Sequence, residues 1–130
     1  MSNQLPILVA ASEEPLRQFV RHVLTQYNYT TIVVGTVDEA KSILHTKPVS
    51  CLVITADLAV PKEKDMEGVI ASIPNKMPTV TLVGNHDWDR LNYLYDPTNR
   101  IHEHCTLPCE GAELVAWIRK AIASASTSER

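Results

Sequence analysis

Short apolar runs alternate with stretches of helical period along this chain of 130 residues. The clear runs occupy residues 7–10, 32–34, 51–54 and 80–83, and a less distinct one falls between residues 101 and 107. Strands this short and this apolar are typical of a parallel sheet that is covered on both faces. The pattern therefore predicts five strands alternating with five helices, which right-handed crossovers join into a doubly wound α/β sheet.

The first and last helical stretches bound the predicted domain. Apolar residues three and four positions apart form the first face: Leu16, Phe19, Val20, Val23 and Leu24. Ser12 precedes that face and is the expected N-cap. The last apolar stripe ends at Ile122, and the residues after position 123 are small and polar. We therefore expect one domain over residues 1–123 and a disordered tail over residues 124–130.

Charge and composition narrow the possible settings of the protein. The formal net charge is -3, with no block of like charges, so neither a nucleic-acid nor a membrane surface is predicted. No apolar run is long enough to span a membrane, and the N-terminus lacks the pattern of a signal peptide. Three cysteines, of which Cys51 lies in an apolar run, do not make a disulfide framework. These features predict a cytoplasmic protein.

Three segments of the chain resemble characteristic segments of the CheY-like response-regulator receiver family. They are residues 28–34 (NYTTIVV) with 38–40 (DEA), residues 57–61 (DLAVP), and residues 106–114 (TLPCEGAEL). The resemblance extends over nearly the whole chain and implies the flavodoxin-like (β/α)5 fold of a receiver. It also implies a role in two-component, phosphorelay-type signal transduction.

The resemblance further implies that this receiver is degenerate. Receivers use two acidic residues and an acceptor aspartate to bind Mg²⁺, and a lysine and a threonine or serine to stabilise the phosphoryl oxygens. The acid pair falls on Ala11 and Ser12, the lysine on Leu107, and the threonine or serine on Val83. Losing one such donor costs enzymes about 3 kcal/mol of transition-state stabilisation. We therefore expect a pseudo-receiver that is not an enzyme and that undergoes weak or no aspartyl phosphorylation.

Two residues are candidates for the phosphoacceptor. Counting back from Pro61 in the motif gives Asp57, whereas counting forward from Ala40 without a gap gives Thr55. No metal or other cofactor is expected, and Mg²⁺ is expected only if Asp57 and Glu13 form a site.

The resemblance also points to a contact surface. In receivers the fourth helix, the fifth strand and the fifth helix usually bind the partner or a second copy. Tyr93, His104 and Trp117 fall in these elements. They are the expected interface with a histidine kinase, a downstream effector or a homodimer partner. The alternative for Trp117 is that it packs over the edge of the core.

An enzymatic alternative comes from residues 84–87. The sequence Gly84-Asn85-His86-Asp87 resembles a metal-binding motif of the calcineurin-like phosphoesterases. With Asp57, it suggests a reduced metallophosphoesterase. However, the chain is short for that fold, and it lacks both the opening D-x-H and the later G-H-x-H. The receiver hypothesis is therefore preferred.

Overall fold

The computed structural model describes residues 5–59, 77–84 and 101–128. The strands are β1 (Ile7–Ala10), β2 (Thr31–Val34), β3 (Cys51–Thr55), β4 (Pro78–Val83) and β5 (Ile101–Thr106). The helices are α1 (Glu14–Gln26), α2 (Val37–Thr46), α3 (Ala56–Ala59) and α4 (Gly111–Ser128). The helices predicted near residues 69–73 and 88–95 lie outside the described residues. None of the described helices is both long and apolar enough to cross a membrane.

The five strands form one parallel sheet in the order β2-β1-β3-β4-β5. This is the flavodoxin-like order of a doubly wound sheet, in which β1 and β3 flank the point where the chain reverses direction across the sheet. Ligand-binding residues in such folds gather at the carboxyl ends of the strands. The predicted fold class is confirmed.

Two apolar clusters fill the space on opposite faces of the sheet, because side chains alternate along each strand. One cluster includes Val9, Val53 and Leu82 and packs against α1 and α4. The other includes Leu8 and Ile54 and packs against α2. Burial on both faces explains why β1 and β3 appear in the sequence as nearly uninterrupted apolar runs.

The start of α1 differs from the sequence prediction. Its N-cap residue is Glu13, which makes no side-chain capping bond, and Pro15 lies in the first turn. The Ser12 hydroxyl is instead bonded to Asp57. A serine at the start of a helix can either cap the helix or bond to another side chain. Here the contact with Asp57 on α3 replaces the capping bond.

Helix α4 ends five residues beyond the predicted end of the domain, whose bounds stay a prediction. The helix continues to Ser128, so residues 124–128 are helical, whereas a disordered tail was expected from residue 124. Residues 123–128 are Ala-Ser-Ala-Ser-Thr-Ser. Alanine is the strongest helix former, and nothing in the segment breaks a helix that is already nucleated upstream.

Candidate functional site

The carboxyl ends of β1, β3, β4 and β5 surround a cavity of about 310 Å³. We call this cavity the edge pocket. The residues that line it come from the segments that follow these strands, from the first turn of α1, and from β3 and β4: Ser12, Glu13, Leu16, Thr55, Asp57, Leu82, Gly84 and Leu107. The topology thus brings together side chains that are up to 95 positions apart in the sequence, from Ser12 to Leu107.

A short hydrogen bond joins two sides of the edge pocket. Ser12 Oγ donates to Asp57 Oδ2 at 2.6 Å. Asp57 is half-buried and lies in the first turn of α3. One oxygen of the Asp57 carboxylate therefore accepts a hydrogen bond from Ser12, and position 12 is one where the receiver resemblance implies an acidic residue.

The two candidate acceptors occupy different structural positions. Thr55 is the last residue of β3. Because Ala10 of β1 pairs with Ile54, Thr55 lies level with Ala11. Asp57 follows two residues later, on α3. Both side chains line the edge pocket. The assignment of either one as a phosphoacceptor stays a prediction.

Thr55 has an unusual environment for a polar side chain. Its exposed fraction is 7%, and its hydroxyl has no hydrogen-bond partner among the described residues. Burying a hydroxyl without a partner costs about 1–3 kcal/mol. Thr81 Oγ1 is buried and unpartnered in the same sense, but Thr81 does not line the edge pocket.

The four degenerate receiver positions separate into two groups. Ser12 and Leu107 line the edge pocket. Ala11 and Val83 are fully buried and do not line it. Leu107 is half-buried and packs against the cluster on the α1 and α4 face of the sheet. Apolar groups therefore replace polar ones at three of these four positions.

Arg17 is a site residue whose role the sequence did not predict. Its Nη1 donates to the carbonyl oxygens of Ala11 at 2.7 Å and Ser12 at 3.1 Å. A Cβ on residue 35 would lie 2.7 Å from the same nitrogen. The glycine at this position therefore leaves the space that the Arg17 guanidinium occupies. Arg17 thus holds the end of β1 from beside the pocket, and it is not one of the residues that line it.

Two carboxylates, those of Glu13 and Asp57, line the same pocket. Within the described ranges, no group of three or more His, Cys, Asp or Glu side chains is placed to hold a metal ion. The Ser12 bond also occupies one of the two Asp57 oxygens. A Mg²⁺ site formed by Asp57 and Glu13 stays a prediction, and we derive no step through a metal.

The predicted interface residues are only partly described. Tyr93 lies outside the described residues. His104 lies in β5, where its backbone pairs with Thr81. Trp117 is half-buried on α4, packs against the core, and has Lys120 Nζ 4.9 Å from its ring centroid. The same Nζ lies 4.0 Å from Glu103 Oε1 on β5.

The residues of the phosphoesterase alternative are described only at Gly84, since Asn85, His86 and Asp87 lie outside the described ranges. Nothing in the described structure supports that alternative. The described residues form one five-stranded parallel sheet, whereas the phosphoesterase hypothesis requires a two-sheet fold.

Comparisons with solved structures agree on the fold. No family model matches the chain, and no curated protein matches it. Among solved structures, the signal receiver domain of an HD domain-containing protein from Pseudomonas fluorescens Pf-5 has a TM-score of 0.77 and 19% identity, covering 96% of this chain and 99% of that one. A CheY-like receiver domain protein from Methanospirillum hungatei JF-1 has a TM-score of 0.77 and 13% identity, covering 97% and 99%.

A third structure, described as an adenylate cyclase from Rhodopirellula baltica, has a TM-score of 0.76 and 17% identity, covering 97% of this chain and 93% of that one. At these identities the comparisons speak to the fold alone. Together with the strand order and the parallel register, they establish that this chain has the fold of a CheY-like response-regulator receiver domain.

Proposed function

We propose that this chain is a receiver-like domain of a two-component type pathway that signals through protein contacts, with weak or no aspartyl phosphorylation and no enzymatic activity. The observation that carries the proposal is the lining of the edge pocket. Leu107 and Leu82 form part of its wall, and no described residue that lines it carries a positive charge.

Phosphoryl transfer to a carboxylate depends on positive groups that stabilise the charge on the phosphoryl oxygens. The edge pocket instead presents the carboxylates of Glu13 and Asp57. An incoming phosphodonor would therefore meet repulsion between like charges and an apolar wall. Arg17 does not offset this, because its guanidinium bonds the Ala11 and Ser12 carbonyl oxygens.

For the contact surface, we propose β5 and α4, with Tyr93, His104 and Trp117 contributing side chains. A histidine kinase, a downstream effector or a second copy of the chain would dock there, in the cytoplasm, without nucleic acid or membrane contacts. Trp117 supports this choice because it is only half-buried and lies beside a cationic side chain, Lys120. Partly exposed tryptophans are enriched among residues that dominate binding energies.

Phosphorylation is tested directly by incubating the protein with acetyl phosphate and Mg²⁺ and measuring its intact mass. We expect no stable adduct, because no described residue that lines the edge pocket is cationic, and Ala11 and Ser12 stand where receivers carry their acid pair. A receiver with a complete site is the positive control, and Asp57→Asn is the matched variant. An added phosphoryl group on the natural chain that disappears in Asp57→Asn would overturn the proposal. Magnesium dependence of that adduct would also contradict the expected absence of a cofactor.

The contact surface is tested by Trp117→Ala. We expect this variant to weaken self-association, or binding to a cognate kinase or effector, by about 2 kcal/mol, and to lower the free energy of unfolding by less than that. Sedimentation equilibrium measures self-association, and urea denaturation measures stability. Ala116→Ser, on the exposed side of the same helix, is the control. Equal losses of binding and stability would show that Trp117 serves the core edge and not an interface.

A further inference from the structure

Two thiols lie in contact at the junction between β5 and α4. Cys105 is a buried residue of β5, and Cys109 lies four positions later, two residues before α4 begins. Both pack in the apolar cluster on the α1 and α4 face of the sheet. The Cys105 thiol donates a hydrogen bond to the Cys109 sulfur, since this bond raises the pKa of Cys105 and lowers that of Cys109. The two sulfur atoms are therefore neighbours in the folded chain.

The third cysteine, Cys51, lies too far away to join this pair. It is the first residue of β3, whereas the pairing of β3, β4 and β5 places Cys105 level with Thr55, four residues further along and two strands away. At a strand spacing of about 4.8 Å and a rise of about 3.3 Å per residue, the Cα atoms of Cys51 and Cys105 are about 16 Å apart. A disulfide requires Cα atoms within about 7 Å of each other. Cys105 and Cys109 are therefore the pair that the fold brings together.

The two thiols of the pair differ in their access to solvent. Cys109 is half-buried, whereas Cys105 has an exposed fraction of 1%. A reagent from solvent therefore meets Cys109 first, and Cys105 is the neighbouring thiol that can react with the product. Burial, above all, raises the pKa of both thiols, so only a small fraction of either is ionised at neutral pH and thiol exchange is slow.

We propose that Cys105 and Cys109 are a redox modification site that forms a reversible disulfide, with a small disulfide such as glutathione disulfide as the oxidant. The Cys109 thiolate attacks one sulfur of the oxidant, breaks its S–S bond and releases one glutathione thiolate. The Cys105 thiol then loses its proton, attacks the Cys109 sulfur and releases the second glutathione thiolate. Two protein thiols are oxidised, one glutathione disulfide is reduced, and the two protons end on the two glutathione thiols.

The disulfide closes a ring that contains Leu107, which lies between the two cysteines and lines the edge pocket. The Leu107 amide donates to the carbonyl oxygen of Val83 at 2.9 Å, so this segment is already attached to β4. Oxidation therefore restrains the segment that joins the edge pocket to the start of α4. The disulfide itself does not rest on the proposed function. Only its effect on docking does, because β5 and α4 form the proposed contact surface.

The test equilibrates the full chain with glutathione disulfide at pH 8, unfolds it in urea with iodoacetamide, and measures its tryptic peptides without reduction. Residues 101–119 form one tryptic peptide that carries both cysteines and not Cys51. We expect this peptide to be unlabelled and lighter by two hydrogen atoms, and dithiothreitol should restore both. We expect Cys51 to carry the label. Two labels on the 101–119 peptide, or glutathione that stays on Cys109, would overturn the proposal.

Variants of single cysteines separate the two steps. Cys105→Ser should stop at the mixed disulfide, so glutathione on Cys109 should be about tenfold more abundant than in the natural chain. Cys109→Ser should leave the buried Cys105 unmodified over the same time. Cys51→Ala is the matched control and should form the disulfide as the natural chain does, with dispersed amide spectra to verify folding. Equal adduct levels in Cys105→Ser and the natural chain, or loss of the disulfide in folded Cys51→Ala, would contradict the assigned pair.

Backbone amide chemical shifts of the oxidised and reduced chain measure the effect on the segment between β5 and α4. We expect changes at Leu107 and Gly111 and none in β2, which lies at the opposite edge of the sheet. Unchanged amides of Leu107 and Gly111 in the oxidised chain would overturn the proposed restraint. A phosphoryl adduct on Asp57, in contrast, would overturn the proposed function while leaving these thiol measurements valid.

Discussion

Replacing Ile118 by alanine is expected to lower the free energy of unfolding by about 2–5 kcal/mol. Ile118 has an exposed fraction of 0% and lies on the face of α4 that packs against β4 and β5. Removing its outer carbons leaves a cavity that neighbouring side chains fill only partly. Urea denaturation followed by circular dichroism measures the loss.

Ala116 on the same helix is exposed, so Ala116→Ser is the matched control and should change stability by no more than about 0.5 kcal/mol. A loss below about 1 kcal/mol for Ile118→Ala would mean that α4 does not cover the sheet as described. Because domains of this size are stable by only about 5–15 kcal/mol, the expected loss is a large part of the total.

The alkylation rates of the buried thiols of Cys51 and Cys105 should be far lower than that of Cys109. Burial raises the pKa of Cys51 to about 12, from 9.0, and burial with the neighbouring Cys109 thiol raises the pKa of Cys105 to about 12. Below pH 9 the reactive thiolate of each is therefore reduced about a thousandfold. Cys109, whose pKa burial also raises, is half-buried and is the most accessible of the three.

Iodoacetamide labelling at pH 8, followed by peptide mass spectrometry, measures these rates. We expect label at Cys109 first, and label at Cys51 and Cys105 only when the chain opens. Urea-unfolded protein, in which all three thiols should react at similar rates, is the control. Labelling of Cys51 in folded protein as fast as Cys109 would contradict its place in the core.

The raised pKa of Cys51 also determines how the stability of the fold changes with pH. The pKa of Cys51 is higher in the folded state than its ordinary value of 9.0, so folding favours the protonated thiol. Its contribution to stability is fully present below pH 9, where both states are protonated. It is lost as the pH rises towards about 12, because only the unfolded chain releases the proton in that window.

Much of the fold was predictable because local sequence carries the relevant physics. Leu8 and Leu52 are buried on one face of the sheet while Val9 and Val53 are buried on the other, so β1 and β3 are nearly uninterrupted apolar runs. Helix α2 carries its own start signal: Thr36 Oγ1 accepts from the Glu39 amide at 3.2 Å, and Glu39 Oε1 accepts from the Gly35 amide at 3.1 Å. Neither signal needs distant residues.

The site was predictable only in part. Counting along motifs singled out Ser12, Thr55, Asp57 and Leu107, which all line one pocket. It did not predict the roles of Leu16, Leu82 and Arg17. Leu16 and Leu82 belong to helical and strand patterns that indicate only core packing. Arg17 bonds to backbone carbonyl oxygens, and a sequence contains no record of which carbonyls are left unpaired at a strand end.

Periodicity and residue type, then, were enough to predict where the five strands lie along the chain, because hydrophobic pattern is a property of neighbouring residues. The tertiary structure alone decided that Ser12 bonds Asp57 instead of capping α1, and that Thr55 ends β3 while Asp57 lies in the first turn of α3. It also decided that Thr55 is buried beside two carboxylates. These outcomes depend on strand register and on contacts between residues far apart in the sequence, such as Ser12 and Asp57, which are 45 positions apart. Small energy differences between alternative partners decide which of these contacts forms.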